Sequence, residues 1–116
     1  MRTQRPTLSL RIDFPNGLRF GPGKAALLQQ LTETGSITAA AKALNMSYPR
    51  ALKLIEQMNE TFAGSVIETK TGGAAGGGAQ VTELGAQILA LYTSLCDGAL
   101  EYGRDALTAF DQFLEN

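Results

Sequence analysis

Residues 36–58, SITAAAKALNMSYPRALKLIEQM, bring two helix starts and one tight turn into a short stretch, and nothing else in the chain constrains the fold as strongly. Ser36 and Ser47 can each accept a hydrogen bond from a backbone amide of the following turn, so each is suited to open a helix. The run Ala39-Ala40-Ala41 favours helix over 37–44, and Asn45-Met46 breaks it. Pro49 falls in the first turn of the second helix, where proline costs no hydrogen bond, and that helix should run to about Thr61. Two short helices joined this closely must cross steeply, which requires a small residue at the contact; Ala41 supplies it. The turn requires a residue that tolerates a left-handed backbone, and Asn45 stands where that turn is due. Ala40, Leu44, Met46, Ala51 and Leu54 then face a common core, the pattern of a helix-turn-helix.

The flanking segments complete a small domain. Residues 7–13, TLSLRID, alternate apolar and polar side chains, a strand period, and Asn16-Gly17 predicts a two-residue hairpin turn returning through Leu18-Arg19-Phe20. Gly21-Pro22-Gly23 breaks that strand. A helix should begin at Lys24, with Leu27, Leu28 and Leu31 inward and Gly35 as its stop. Residues 65–69 and 80–82 read as two strands around TGGAAGGGA, a glycine-rich tip that can adopt no helix. From Glu83 to about Leu114 there is no proline, and Ile88, Tyr92, Leu95, Ala99, Tyr102, Ala106, Ala109 and Phe113 recur at steps of four and three. A domain formed by residues 1–82 is too small to cover so long a helix, so the stripe of residues 83–116 calls for a second copy through a two-fold axis. The expected fold is mostly α with small β: a winged helix-turn-helix with an N-terminal β-hairpin and a long C-terminal dimerisation helix, one structural domain overall.

Composition excludes several chemistries. The 116 residues include no histidine and one cysteine, Cys96, so His-based triads, His general bases, thiolate cages and internal disulfides are all ruled out. No metal site, cofactor or catalytic residue is expected, and the chain is read as a non-enzyme. No apolar run approaches the length of a membrane span, and the basic N-terminus lacks the apolar stretch of a signal peptide, so a cytoplasmic protein is expected. The net charge of −1 is unevenly spread: residues 1–82 carry +4 and residues 83–116 carry −5. A basic front and an acidic tail suit a polyanion that meets one side of the molecule.

That polyanion is expected to be double-stranded DNA. In a helix-turn-helix the start of the second helix enters the major groove, and its outward face here carries Ser47, Tyr48, Pro49, Arg50, Lys53 and Gln57. Arg50 can read guanine with its planar fork, while Lys53, Ser47 and Tyr48 suit phosphate; Ser36 and Thr38 open the first helix of the motif and join the same set. The glycine stretch is no nucleotide-binding loop, because no Gly-Lys-Ser/Thr follows and a strand comes next. It fits a wing in which Gly72, Gly73, Gly76 and Gly77 let backbone amides approach phosphates, with Lys70 at the base; a solvated tip without contacts is the other reading. The partner expected at Ile88, Tyr92, Leu95, Ala99, Tyr102, Ala106 and Phe113 is a second copy of the chain. A winged-helix adaptor that binds protein instead of DNA is the alternative that the small net charge favours.

The order of GSITAAAKALNMSY at 35–48, IEQMN at 55–59 and ETKTGGAAGGGAQVTELGAQILALY at 68–92 resembles the DNA-binding domain of ModE-type molybdate-responsive transcriptional regulators, winged-helix relatives of the LysR type. The resemblance covers about residues 8–95. It implies a bacterial homodimer joined by the long helix, DNA contact through helix and wing, and control of molybdate transport or molybdoenzyme genes. Molybdate-sensing members carry C-terminal oxyanion-binding domains, which lie outside these 116 residues, so molybdate is not expected as a ligand here. The lysine often found between the wing's glycine pairs is replaced by Ala74-Ala75.

Overall fold

The computed structural model describes residues 6–70 and 78–115. A short hairpin of β1 (Ile12–Asp13) and β2 (Arg19–Phe20) leads into α1 (Pro22–Thr34), α2 (Ile37–Ala43) and α3 (Tyr48–Thr61). A second antiparallel hairpin, β3 (Ile67–Lys70) and β4 (Gly78–Val81), precedes the long α4 (Glu83–Ala109) and a closing 3-10 turn, Phe110–Phe113. This is the winged helix-turn-helix expected from the sequence.

The helix starts follow their caps. Ser36 Oγ accepts from Ala39 N, Ser47 Oγ from Arg50 N and Thr82 Oγ1 from Gly85 N, at 3.1, 3.1 and 3.0 Å. Gly35 ends α1 at φ 66, its N–H on Leu31 O. The turn after α2 closes with Met46 N on Ala41 O and Asn45 N on Lys42 O, the paired bonds of a Schellman motif. Asn45 takes the left-handed position at φ 55, the place usually held by glycine.

The core gathers one face of every helix. Leu27, Leu28 and Leu31 of α1, Ile37 and Ala40 of α2, and Ala51, Ile55 and Met58 of α3 close over Val66 and Ile67, with Phe20 inserted from β2. Phe20 meets Phe62 and Tyr92 edge to face, at centroid separations of 6.2 and 5.1 Å.

Four local expectations change. The first strand is confined to Ile12–Asp13, because β2 ends where Gly21 and Pro22 turn into α1, leaving residues 7–11 without a ladder partner. The hairpin loop has three residues: Phe14 N donates to Leu18 O, Gly17 N donates to Phe14 O, and only Gly17 has positive φ. Pro15 fixes its own φ near −65°, which suits a type I turn followed by a left-handed glycine and forbids the expected two-residue Asn-Gly turn. The same proline preference starts α1 at Pro22, two residues before Lys24. Finally, α4 ends at Ala109 and tightens into the 3-10 turn instead of running on to Leu114.

Tyr92 corrects the expected dimer seam. It is 8% exposed, packs on Phe20 and donates from its hydroxyl to Leu10 O at 2.6 Å, so this side chain belongs to the protomer's own core. Ile88 also packs partly against that core. The seam's 3.5-residue period brings both residues to the side of α4 that meets α1 and the first hairpin, a contact the period alone does not reveal.

Candidate nucleic-acid interface

The motif's local folding sets the outward face of α3. Ala51, Leu54, Ile55 and Met58 point into the core, which turns Tyr48, Pro49, Arg50 and Lys53 to solvent. Neither the Arg50 nor the Lys53 side chain forms an ion pair or hydrogen bond among the described residues, so both cations are free to meet an external anion. The backbone around them is held rigid by the Ser47 cap and the Asn45 turn.

The beginning of α2 lies next to this face. Thr38, Ser47 and Tyr48 line one shallow depression together with Lys42 and Asn45. Ser36 and Ser47 each keep a hydroxyl proton to donate, since their oxygens serve as acceptors at the caps. Lys42 is exposed and was missed by the sequence reading. Its signal was present: it follows Thr38 by four residues, which puts both on one face of α2. Gln57 departs from expectation, being half-buried in a cleft against the N-terminal hairpin with Arg11, Arg19, Lys24 and Arg50.

The second hairpin is tied to the motif at two places. Asn59 of α3 accepts from Val66 N at 2.7 Å and Ile67 N at 3.0 Å, and donates to Ile67 O at 2.9 Å. Ala79 N donates to Gly35 O at 3.1 Å, extending β4 by a bridge to the loop before α2. The base of the hairpin itself is closed by Thr82 N, which donates to Val66 O at 2.9 Å. Lys70 is exposed at the end of β3 and pairs in register with Gly78. The wing contacts expected at Gly72, Gly73, Gly76 and Gly77 lie outside the described residues.

On α4, Leu95 and Ala106 of the expected seam are exposed and Ala99 is half-buried. Tyr102 and Phe113 are 94% and 80% exposed, and Leu91, on the same side, is 71% exposed. Leu91 and Leu95 border an apolar groove of roughly 340 Å³ completed by Ile12, Phe14, Phe62 and Ile88.

Among the described residues, two ionisable groups are displaced from their ordinary values. Burial, with Arg19 and Arg50 nearby, lowers the pKa of Lys24. Burial and the neighbouring Cys96 push the Tyr92 phenol up to about 12. Among the described residues no cluster of His, Cys, Asp or Glu could hold a metal, and no helix is long and apolar enough to cross a membrane.

Residues 24–86 match the family of bacterial regulatory helix-turn-helix proteins of the lysR type. The chain is 38% identical over 99 residues to the molybdenum-pterin-binding protein MopB of Rhodobacter capsulatus, covering 84% of this chain and 35% of that protein. It is 40% identical over 74 residues to the transcriptional regulator ModE of Yersinia pestis, covering 64% of this chain and 28% of the relative. Against the DNA-binding transcriptional dual regulator ModE of Escherichia coli K12 the identity is 36% over 74 residues, with 64% and 28% covered. The chain thus spans about a third of the length of these relatives, and the ModE-type likeness expected from the sequence is found in them. With the helix pair, the wing base and the first turn of α4 all inside the matched span, the chain belongs to the lysR family of bacterial regulatory helix-turn-helix proteins.

Proposed function

We propose that this chain binds double-stranded DNA as a homodimer in the cytoplasm and regulates transcription of genes for molybdate transport or molybdenum enzymes. The family is one of regulators and not of enzymes. One observation carries the DNA reading: Arg50 and Lys53 stand unpaired and exposed at the start of α3, on a backbone fixed by the Ser47 cap and the Asn45 turn. A cationic, preorganised helix start of this kind suits the major groove. Arg50 is assigned to a base edge, Lys53 and Lys42 to phosphates, and Ser36, Thr38, Ser47 and Tyr48 to flanking backbone contacts. Lys70 and the wing glycines are assigned to the adjoining backbone.

The homodimer is supported by apolar side chains that are exposed among the described residues, Leu91, Leu95 and Tyr102 of α4 and Phe113 of the 3-10 turn. Exposed apolar area of this continuity marks an interaction surface. The molybdenum targets rest on the names of the relatives alone.

Selection of bound sequences from random duplex DNA tests the reading. Two inverted half-sites are expected. Arg50→Ala should cost about 1–3 kcal/mol on the selected site and relax base preference at one position, whereas Lys53→Ala should weaken all sequences alike. Unchanged affinity in the double variant rejects the assignment. Association with a protein that added salt does not weaken, in the absence of DNA binding, would favour the adaptor alternative.

A further inference from the structure

The N-terminal hairpin has no role in the reading above, yet it places charge beside α3. Arg19 of β2, Lys24 of α1 and Arg50 of α3 line one open cleft with Arg11 and Gln57, and no acidic side chain lines it among the described residues. Lys24 is only 8% exposed, and its ammonium is held by a 2.6 Å bond to Arg19 O. Its lowered pKa agrees with two guanidinium groups crowding a desolvated ammonium. Arg11 is already paired with Asp13 at 2.9 Å, so the uncompensated charge is that of Arg19, Lys24 and Arg50. Like charges gathered without an acid repel one another, and an anion in the cleft relieves that repulsion. Among the described residues, a Cβ added at Gly23 in the first turn of α1 would meet nothing within 4 Å, so the cleft is open there.

We propose that this cleft seats a DNA phosphodiester beside the groove read by α3, making the N-terminal hairpin a second clamp on the duplex backbone. Arg50 and Gln57 lie two turns apart along α3, so the cleft runs beside the groove-reading helix and does not close over one small ion. Arg50 belongs to both surfaces and makes them continuous. The proposal rests on the DNA-binding reading, and the test separates the two.

Affinity for the selected duplex and for a scrambled duplex is measured by fluorescence anisotropy across a series of KCl concentrations. Each phosphate contact contributes about −0.9 to the slope of log K against log salt. Arg19→Gln is expected to lower the magnitude of that slope by about one and to weaken both duplexes several-fold alike; Arg19→Lys is expected to keep the slope. The Arg19 side chain is exposed and only its carbonyl is engaged, so the fold should survive, as circular dichroism would show. An unchanged slope in Arg19→Gln, with Arg50→Ala still impaired, overturns the clamp and leaves DNA binding standing. Failure of the unmodified chain to bind any duplex overturns both. Inorganic phosphate alone raising the Tm of the unmodified chain, but not of Arg19→Gln, with the salt slope unchanged, would assign the cleft to a free oxyanion and also overturn it.

Discussion

At the residue scale, three positions carry structural requirements that other residues cannot meet cheaply. Asn45 holds φ 55 at the turn between α2 and α3. Asn45→Ala should destabilise the fold by about 1 kcal/mol, and Asn45→Gly should be close to neutral, measured by urea unfolding. Gly85 lies in the first turn of α4, where an added Cβ would stand 2.4 Å from Val66 O and 2.8 Å from Val81 Cγ1. Alanine is the better helix former by about 1 kcal/mol, but backbone cannot yield to that overlap, so Gly85→Ala should lose about 1–3 kcal/mol despite the propensity gain. Asn59 satisfies two backbone N–H groups and one carbonyl of the Val66-Ile67 segment. Asn59→Ala strips those partners and should cost about 2 kcal/mol, with the β3–β4 hairpin losing hydrogen-exchange protection first.

At the element scale, α4 spans 27 residues, about 40 Å at 1.5 Å per residue. Ile88, Leu89, Tyr92 and Cys96 pack on the protomer's core, while Leu91, Leu95 and Tyr102 are exposed. Tyr102→Glu should therefore leave the circular dichroism spectrum intact and shift sedimentation velocity from dimer to monomer. A sedimentation coefficient that does not move would sink the homodimer. What the sequence made legible follows the same division. Caps, the Asn45 turn, the wing's two strands and the long helix were readable because each depends on a few neighbouring side chains. The distribution of Tyr92 between core and seam was not, because its partners Leu10 and Phe20 are distant in the chain. Nor was the cleft of Arg19, Lys24 and Arg50, since three separate elements contribute one cation each. Lys24 sat on a helix as an ordinary surface lysine until the fold buried it.

At the scale of the whole molecule, the chain measures 55 × 33 × 22 Å, and Tyr92 ties the N-terminal segment to α4 by donating to Leu10 O. Burial raises the Tyr92 phenol from its ordinary 10.0 to about 12 in the folded chain. The folded state thus holds that proton more tightly. The resulting stabilisation is complete below pH 10 and disappears as pH rises through 12. Lys24, with its lowered pKa, acts in the opposite sense, but only below its ordinary 10.5. Tyr92→Phe should be less stable by about 1 kcal/mol at neutral pH and should show a shallower alkaline decline, followed by chemical denaturation at stepped pH.

Thr82 couples these scales. Its hydroxyl oxygen accepts the amide that starts α4 while donating to Ser65 O at 2.7 Å, and its own amide is bound to Val66 O. There is no loose linker at this junction. If two copies join through α4, the strut between their reading heads has almost no play, and the molecule becomes a caliper of set opening. Operators whose half-sites are moved apart by even a base pair or two would then be refused by geometry, whatever their sequence.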